Sequence, residues 1–314
     1  MKGHNRKFYS ESLNHCYQNT KNGFLLFYSD IDYLVFFTIF CITARRFDVQ
    51  VLKLCLMPDH VHFTVKAGSR KELYSFVRDA TKLFAKLQNE YLGRRGALFN
   101  SPFGSAPKHD TKRIRTNLIY VDNNPVERNL VEFAEEYRWN FIAYARSANP
   151  FSEPFDPVRA SQYLIDSMNL VVERHNSGRP LNYPLVKLLF RHLDARERNQ
   201  LIDYIITTYS VIDHETAIRF FGSYENMLMA DHSTTGSEYD LKEVFEGKRD
   251  DVYSQMTELL MKTGRFKEIH DVLRLPEAER FELLVYLSGK TAAAPEQLAK
   301  YLRLQISLHK SHGR

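Results

Sequence analysis

Residues 54–65 form a run of β-favouring residues that carries two histidines one position apart. Side chains of a strand alternate between its two faces, so His60 and His62 would share one face while Val61 and Phe63 share the other. Two imidazoles on one face, about 7 Å apart along the strand, can bind one metal ion if a third ligand comes from elsewhere in the fold. Taken alone, such a pair is more often two hydrogen-bonded or half-exposed histidines.

The composition is that of an ordinary soluble globular protein long enough for two domains. Of its 314 residues, 44% are hydrophobic and 26% are charged, and the net charge of +5 is compatible with a polyanionic partner. The three cysteines, Cys16, Cys41 and Cys55, form no Cys-x-x-Cys motif and suggest a reducing environment. Residues 1–22 are polar and residues 34–42 are too few to span a bilayer, so we expect a cytoplasmic protein without a signal peptide.

The first half of the chain alternates between strand-like and helix-like segments. We predict strands at 12–19 and 48–65, a helix from the Ser29 cap to about Arg46 with Asp32 closing a capping box, and an amphipathic helix over 70–92. Two further helices are predicted at 112–122 and 125–136, followed by a strand through Trp139 and Tyr144. The pattern indicates an α+β fold, with a ferredoxin-like or RRM-like antiparallel sheet that carries helices on one face.

The second half has a different character. Three prolines in residues 148–157 indicate a linker, so we divide the chain into a domain at 1–147, the linker at 148–157 and a helical domain at 158–314. A segment rich in Ser, Thr and Gly at 231–240 would separate two helical lobes. A helix-turn-helix near 277–314 is possible, although many three-helix clusters share its pattern. We find no catalytic motif in this half.

Four motifs of the first half resemble those of one protein family. Residues 57–63, MPDHVHF, resemble the HUH signature of the Y1 transposases, the IS200-like family that includes the REP-associated tyrosine transposases. Residues 27–33, FYSDIDY, are similar to the entry of its first helix, residues 120–126, YVDNNPV, to its tyrosine motif, and residues 138–141, RWNF, to its closing aromatic strand. The resemblance covers about residues 10 to 145.

The resemblance implies a catalytic role for Tyr120, which composition alone would not single out among 18 tyrosines. In this family the equivalent tyrosine attacks a phosphate of single-stranded DNA, leaving a 5′-phosphotyrosine and a free 3′-hydroxyl that can be rejoined without ATP. It also implies that His60, His62 and Asn124 bind Mg²⁺ or Mn²⁺. An alternative role for Asn124, compatible with the first, is to cap a helix that begins at Pro125.

The expected partner is single-stranded or hairpin DNA, without a membrane or a nucleotide cofactor, and the chain would act as a monomer or as a homodimer. Basic side chains near the tyrosine motif would contact phosphates, and Phe99 and Phe103 are candidates for base stacking. These predicted DNA-binding residues are Lys108, Lys112, Arg113, Arg115, Arg94 and Arg95.

We therefore expect a transposase-type enzyme that cleaves and rejoins single-stranded DNA at hairpin or REP-like elements. Two departures from the family pattern are Asp59, where Asn is common, and residues 125–131, PVERNLV, which lose a basic position. One alternative is a domesticated DNA-binding regulator that retains the fold. Another is an HUH replication initiator or relaxase, although no Gly-x-x-x-x-Gly-Lys-Ser/Thr motif is present for an attached helicase.

Overall fold

The computed structural model describes residues 8–9, 12–233 and 249–305. Four strands form one sheet in the order β2-β3-β1-β4, and every neighbouring pair is antiparallel. The strands are β1 (Leu13–Asn19), β2 (Gln50–Met57), β3 (His60–Lys66) and β4 (Gly104–Lys108). The predicted histidine strand is thus a hairpin, because β2 and β3 pair with each other across residues 58 and 59.

In the described residues, helices make up the rest of the regular structure. Three of them fall among or directly after the strands: α1 (Asp30–Arg46), α2 (Arg70–Leu92) and α3 (Thr111–Glu127). The others follow in the second half: α4 (Gln162–Asn176), α5 (Tyr183–Phe190), α6 (Ala195–Tyr209), α7 (His214–Arg219), α8 (Tyr224–Ser233), α9 (Val252–Lys262), α10 (His270–Arg274), α11 (Glu277–Ser288) and α12 (Pro295–Leu302). The α+β class with an added helical region is confirmed.

The two faces of the sheet are covered by different helices. On the first face, the Phe40 ring of α1 lies 5.3 Å from Phe63 of β3 and 5.0 Å from Phe76 of α2, measured between ring centroids. On the second face, the Thr64 hydroxyl of β3 donates a hydrogen bond of 2.8 Å to Asn117 of α3. The predicted placement of helices on one face therefore holds for α1 and α2, whereas α3 lies against the histidine face.

The local signals at the start of α1 and along α2 are confirmed. Ser29 and Asp32 form the capping box of α1, and α2 spans the predicted residues 70–92, capped by Ser69 and ended by Gly93 with φ of +64°. The Asp32 carboxylate also accepts hydrogen bonds from Tyr183 at 2.8 Å and from His270 at 2.9 Å, so a local cap also binds distant parts of the chain.

The predicted break between two helices at residues 123–125 is wrong. The helix α3 continues through Pro125 to Glu127, so Asn124 is not a helix N-cap. Its side-chain Nδ2 instead donates to the Tyr120 carbonyl, 2.8 Å away, within the same helix. A proline inside a helix removes one hydrogen bond, but here it lies in the last turn, where residues 120–125 are buried against the protein.

The last strand of the sheet is also not where the sequence predicts it. The segment through Trp139 and Tyr144, which includes the expected closing aromatic strand, forms short 3₁₀ turns, because Phe141 has φ of +64° and cannot continue an extended chain. The fourth strand of the sheet is β4, which lies at the end of a segment rich in glycine and proline, residues 93–107. Its Gly104 is required because a Cβ there would lie 2.0 Å from the Tyr17 ring, and Pro107 is tolerated because β4 is an edge strand.

The second half packs directly on the first. Apolar side chains of α4, α5 and α6 belong to the same buried core as α1, α2 and the sheet, and α9–α12 form a second core with Leu25, Tyr28 and Leu92. In the proposed linker, Ser152 donates to Asp203 of α6 at 2.9 Å. The boundaries 1–147, 148–157 and 158–314 remain a prediction, although these contacts join the parts closely.

Two predictions fall partly outside the described residues. Helices α11 and α12 correspond to the first two helices of the predicted helix-turn-helix, but its third helix would begin in residues 306–314, which are outside the described residues. Residues 234–240 of the predicted boundary between two helical lobes are also outside the described residues. In the described part of the chain, no helix is long and apolar enough to cross a membrane. Cys16, Cys41 and Cys55 are buried and form no disulfide bond.

Candidate active site

Three histidines, two from β3 and one from β1, lie on the same face of the sheet. His60 and His62 have ring centroids 4.7 Å apart, as expected for alternate residues of β3. His15 of β1 stacks on His62 with centroids 5.3 Å apart, and its Nε2 lies 3.1 Å from His62 Nδ1. The antiparallel pairing of β1 with β3 brings His15 to this position, since His15 is opposite Thr64.

Tyr120 of α3 meets the histidines edge-on. Its ring centroid lies 5.5 Å from that of His62 and 5.5 Å from that of His15. The helix holds the tyrosine there because Asn117, one turn earlier, bonds to Thr64, and Val121 packs with Cys55 and Met57 of β2. The structure therefore brings Tyr120 together with His60 and His62, two other predicted site residues that lie about 60 positions earlier in the sequence. All are buried: Tyr120 is 4% exposed, His60 4% and His62 0%.

His60 is fixed from behind by a charged pair. Its Nδ1 lies 2.5 Å from Asp59 Oδ1, and the other oxygen of Asp59 accepts a bond of 2.6 Å from Lys300 Nζ in α12. Burial alone would raise the pKa of Asp59. The charges and hydrogen bonds of His60 and Lys300 nevertheless hold this pKa well below its usual range. An ionised Asp59 accepts the Nδ1 proton and so fixes the tautomer of His60 that carries its lone pair on Nε2.

The other two imidazoles are held in the neutral form. Burial, reinforced by His60 and His15, lowers the pKa of His62 well below its ordinary value. Burial and the nearby Lys108 lower the pKa of His15 to about 3. A neutral imidazole is the form that binds metal ions.

The donor set on this face fits a divalent cation. The buried Nε2 of His60 has no hydrogen-bond partner in the described part of the chain, which is the condition expected of an atom aimed at a missing ligand. His62 would bind through Nε2, because its Nδ1 pairs with His15. In residues 8–9, 12–233 and 249–305, no group of three or more His, Cys, Asp or Glu side chains is placed to hold a metal.

Asn124, the predicted third ligand, lies one turn after Tyr120 and is 3% exposed. Its Nδ2 is used inside the helix, and its role as a ligand remains a prediction. Asp122, which lies between Tyr120 and Asn124 in α3, forms a buried ion pair with Lys53 of β2, with 2.5 Å between Asp122 Oδ2 and Lys53 Nζ. This pair ties α3 to the sheet on the same side as the histidines.

The predicted DNA-binding residues fall in two places. The first place is the end of β4, at Lys108, and the first turns of α3. Three exposed cations lie in these turns: Lys112, Arg113 and Arg115. Arg113 lies 3.4 Å from Asp110, and the Arg115 guanidinium lies over the Phe221 ring at 5.2 Å.

The second place lies beyond the end of α2. Arg95 is exposed, whereas Arg94 is half-buried, and burial together with Arg303 and Arg280 lowers its pKa. Arg94 is therefore close to the C-terminal helices. Phe103 is buried, and Phe99 is partly buried against the core, so neither is an open stacking platform as it stands.

Sequence reasoning missed two residues of the site. His15 lies in a predicted strand, and alternation could have placed it on one face, but only the register of β1 with β3 shows that this face is that of His62. Lys300 carries no local signal at all, because it reaches Asp59 from 241 residues away.

Comparison with known proteins agrees with the motifs. Residues 13–124 match the family model described as "Transposase IS200 like". A solved structure, "Structure of the REP associates tyrosine transposase bound to a REP hairpin", shares 17% identity and a TM-score of 0.41, over 52% of this chain and 96% of that chain. No curated protein matches the chain. The resemblance to the IS200-like transposases is therefore confirmed for residues 13–124, the segment that contains the three histidines and Tyr120.

Proposed function

We propose that this protein cleaves and rejoins single-stranded DNA, with Tyr120 as the nucleophile and a 5′-phosphotyrosine as the intermediate. The observation that carries the proposal is the meeting of Tyr120 with His62 and His15 at 5.5 Å, on the face that also holds His60. These residues lie in the segment that matches the transposase family. The proposed substrate is a hairpin or REP-like element with a single-stranded cleavage site.

In the proposed reaction the Tyr120 hydroxyl loses its proton as its oxygen attacks the scissile phosphorus, and the O3′–P bond breaks. The O3′ atom takes up one proton and leaves as the 3′-hydroxyl, and the phosphate becomes an ester of the tyrosine. Because one phosphate ester replaces another, attack by a 3′-hydroxyl on the phosphotyrosine can reseal the strand without an external energy source.

A divalent cation, Mg²⁺ or Mn²⁺, would be held by Nε2 of His60 and of His62, with Asn124 as the proposed third ligand. When bound, it polarises a non-bridging phosphate oxygen and stabilises the charge that develops during the transfer. The protein's own contribution is to hold both rings: Asp59 orients His60, and His15 orients His62.

The buried site requires that the strand displace neighbouring side chains, since Tyr120 is 4% exposed. The exposed cations at the start of α3 would bind the phosphates on either side of the cleavage point. Lys112, Arg113 and Arg115 lie between five and eight residues before Tyr120 on the same helix, so binding of the backbone there would bring the strand to the nucleophile.

The test is cleavage of a labelled hairpin oligonucleotide with a single-stranded flank. Wild-type protein with Mn²⁺ or Mg²⁺ should produce a shorter fragment with a free 3′-hydroxyl and a protein-bound remainder. EDTA should stop the reaction and added Mn²⁺ should restore it. Full cleavage in EDTA would remove the cation from the proposal, and tight DNA binding without any cleavage would favour a regulator that retains the fold.

A further inference from the structure

A cavity of about 360 Å³ opens between the start of α1, the β2–β3 turn and the C-terminal helices. Pro58 of the turn lines it, next to the Asp59 that bonds to His60. Tyr253 of α9 and Tyr301 of α12 line the opposite side. The cavity therefore lies beside the candidate active site, at the junction of the family-matched segment with the C-terminal helices.

The walls of this cavity are aromatic, and nearly all their hydroxyl groups are already used. Five tyrosines line it, together with Trp139, the one tryptophan of the chain. Four of these hydroxyls have protein partners: Tyr28 bonds to the Tyr301 carbonyl, Tyr33 to Tyr137, Tyr137 to the Leu56 carbonyl and Tyr301 to Thr257.

Two buried polar groups of the wall are the exceptions. The Tyr253 hydroxyl and Asp250 Oδ2 have no hydrogen-bond partner in the described residues, although Tyr253 is 5% exposed and Asp250 2% exposed. The nearest cation to Asp250 is Arg128, at 4.0 Å, beyond hydrogen-bond range. Leaving such groups unsatisfied is unfavourable, so they mark the place where a ligand would donate to the carboxylate and accept from the phenol. The two residues lie one turn apart on the chain, since the Tyr253 amide donates to the Asp250 carbonyl at 3.1 Å.

The charge of the cavity excludes a phosphate. Its described lining contains the carboxylates of Asp30, Asp250 and Glu258 and no lysine or arginine. An uncharged, flat group with a hydrogen-bond donor beside an acceptor fits this surface, and every nucleobase has such an edge, formed by the exocyclic amine of guanine, adenine or cytosine or by the ring N–H of thymine.

We infer that this cavity binds one unstacked nucleobase of the DNA strand, with the N–H donor of the base on Asp250 and its acceptor on the Tyr253 hydroxyl. The inference rests on the proposed function, because Pro58, which lines the cavity, lies two residues before His60 of the candidate active site. It gives the C-terminal helices a role in holding a base beside the cleavage point.

The test uses Trp139 emission, excited at 295 nm, during titration of the full chain with single nucleosides. Deoxyguanosine, deoxyadenosine, deoxycytidine and thymidine should each produce a saturable change, with N3-methylthymidine, whose base has no N–H donor, at least about five-fold weaker, the worth of one hydrogen bond. Tyr253→Phe should weaken binding of the four nucleosides about five-fold, and Asp250→Asn should abolish the preference for thymidine over N3-methylthymidine. Tyr286→Phe, which alters an exposed tyrosine away from the cavity, is the matched control.

Circular dichroism and thermal unfolding of each variant establish that it is folded. Three results would overturn the inference: no saturable change with any nucleoside, unchanged affinities in both cavity variants, or binding of arginine amide where nucleosides fail. Nucleosides have no phosphate to cleave, so the result is separate from the cleavage test. Cleavage with no nucleoside binding defeats this inference alone, and nucleoside binding with no cleavage defeats the proposed function alone.

Discussion

The two ring nitrogens of His60 have separate surroundings, and this division is the main residue-scale argument for a cation. Nδ1 bonds to Asp59, while the buried Nε2 has no partner in the described chain. We expect His60→Ala and His62→Ala each to lower Mn²⁺ affinity at least about ten-fold, because each removes a ligand. Electron paramagnetic resonance of free Mn²⁺ measures this without DNA, and His192→Ala, at an exposed position, is the control. Unchanged Mn²⁺ binding in both site variants would show that this face is not a metal site.

At the residue scale, the buried carboxylate of Asp250 in the cavity wall lowers the free energy of unfolding of the protein at neutral pH. Burial, followed by the charge of Asp59, raises the pKa of Asp250 to about 6. The folded protein therefore favours the protonated carboxyl, and the ionised form destabilises it increasingly as the pH rises from about 4 through 6. Asp250→Asn should raise the free energy of unfolding by roughly 1–2 kcal/mol at pH 7.5 and change it little at pH 4. Denaturant unfolding at both pH values measures the difference, and a variant that is equally destabilised at both would contradict it.

At the scale of elements, the C-terminal helix α12 reaches the active site through Lys300. Its Nζ lies 2.6 Å from Asp59, which orients His60. Lys300→Met should lower Mn²⁺ affinity roughly ten-fold, as removal of groups behind metal ligands commonly does. Lys300→Arg should restore most of the loss, because it keeps the charge.

A merely structural role for Lys300 predicts a different pattern. Lys300→Met would then lower the unfolding temperature but leave the affinity of the folded protein for Mn²⁺ unchanged. Measuring Mn²⁺ binding well below the unfolding temperature separates the two outcomes.

Elements with strong local signals were predictable from the sequence, and those defined by distant contacts were not. The capping box of α1 and the apolar period of α2 are contained within single segments, so both helices begin where the sequence predicts. By contrast, β4 has Gly104 and Pro107, which disfavour strands, and it forms because β1 provides its hydrogen-bond partners. Trp139 and Phe141 favour a strand by type, yet each stacks on a ring of α1, at 4.4 and 4.6 Å, in a 3₁₀ segment.

Residues of the candidate site also fall into those that local motifs predict and those that depend on distant contacts. The motifs predicted His60, His62 and Tyr120, and the structure places them on one face. His15 and Lys300 depend on strand register and on a contact across 241 residues, neither of which one sequence encodes locally. The capping role of Asn124 failed because burial of α3 outweighed the helix-breaking tendency of Pro125.

At the scale of the whole molecule, the helices α4–α6 complete the core of the sheet domain. Their buried side chains include Leu164, Val171, Leu201 and Ile205, each essentially inaccessible to solvent. Burial of one such side chain stabilises a fold by about 1.5–3 kcal/mol, and a protein's total stability is about 5–15 kcal/mol. We therefore expect a fragment ending at Pro150 to lack a cooperative unfolding transition in circular dichroism and to bind a hydrophobic dye. A sharp transition near that of the full chain would show that residues 1–150 fold independently.

The central claim is that Tyr120 attacks DNA, and trapping the covalent adduct tests it most directly. Wild-type protein, Mn²⁺ and a labelled hairpin oligonucleotide should give a denaturation-resistant protein–DNA band, and mass spectrometry should place the nucleotide on the peptide that contains Tyr120. Tyr120→Phe should abolish the band while DNA binding stays within about two-fold, because only the nucleophilic oxygen is lost. The control Tyr286→Phe should form the adduct normally. An adduct that persists in Tyr120→Phe, or that maps to another residue, would contradict the account.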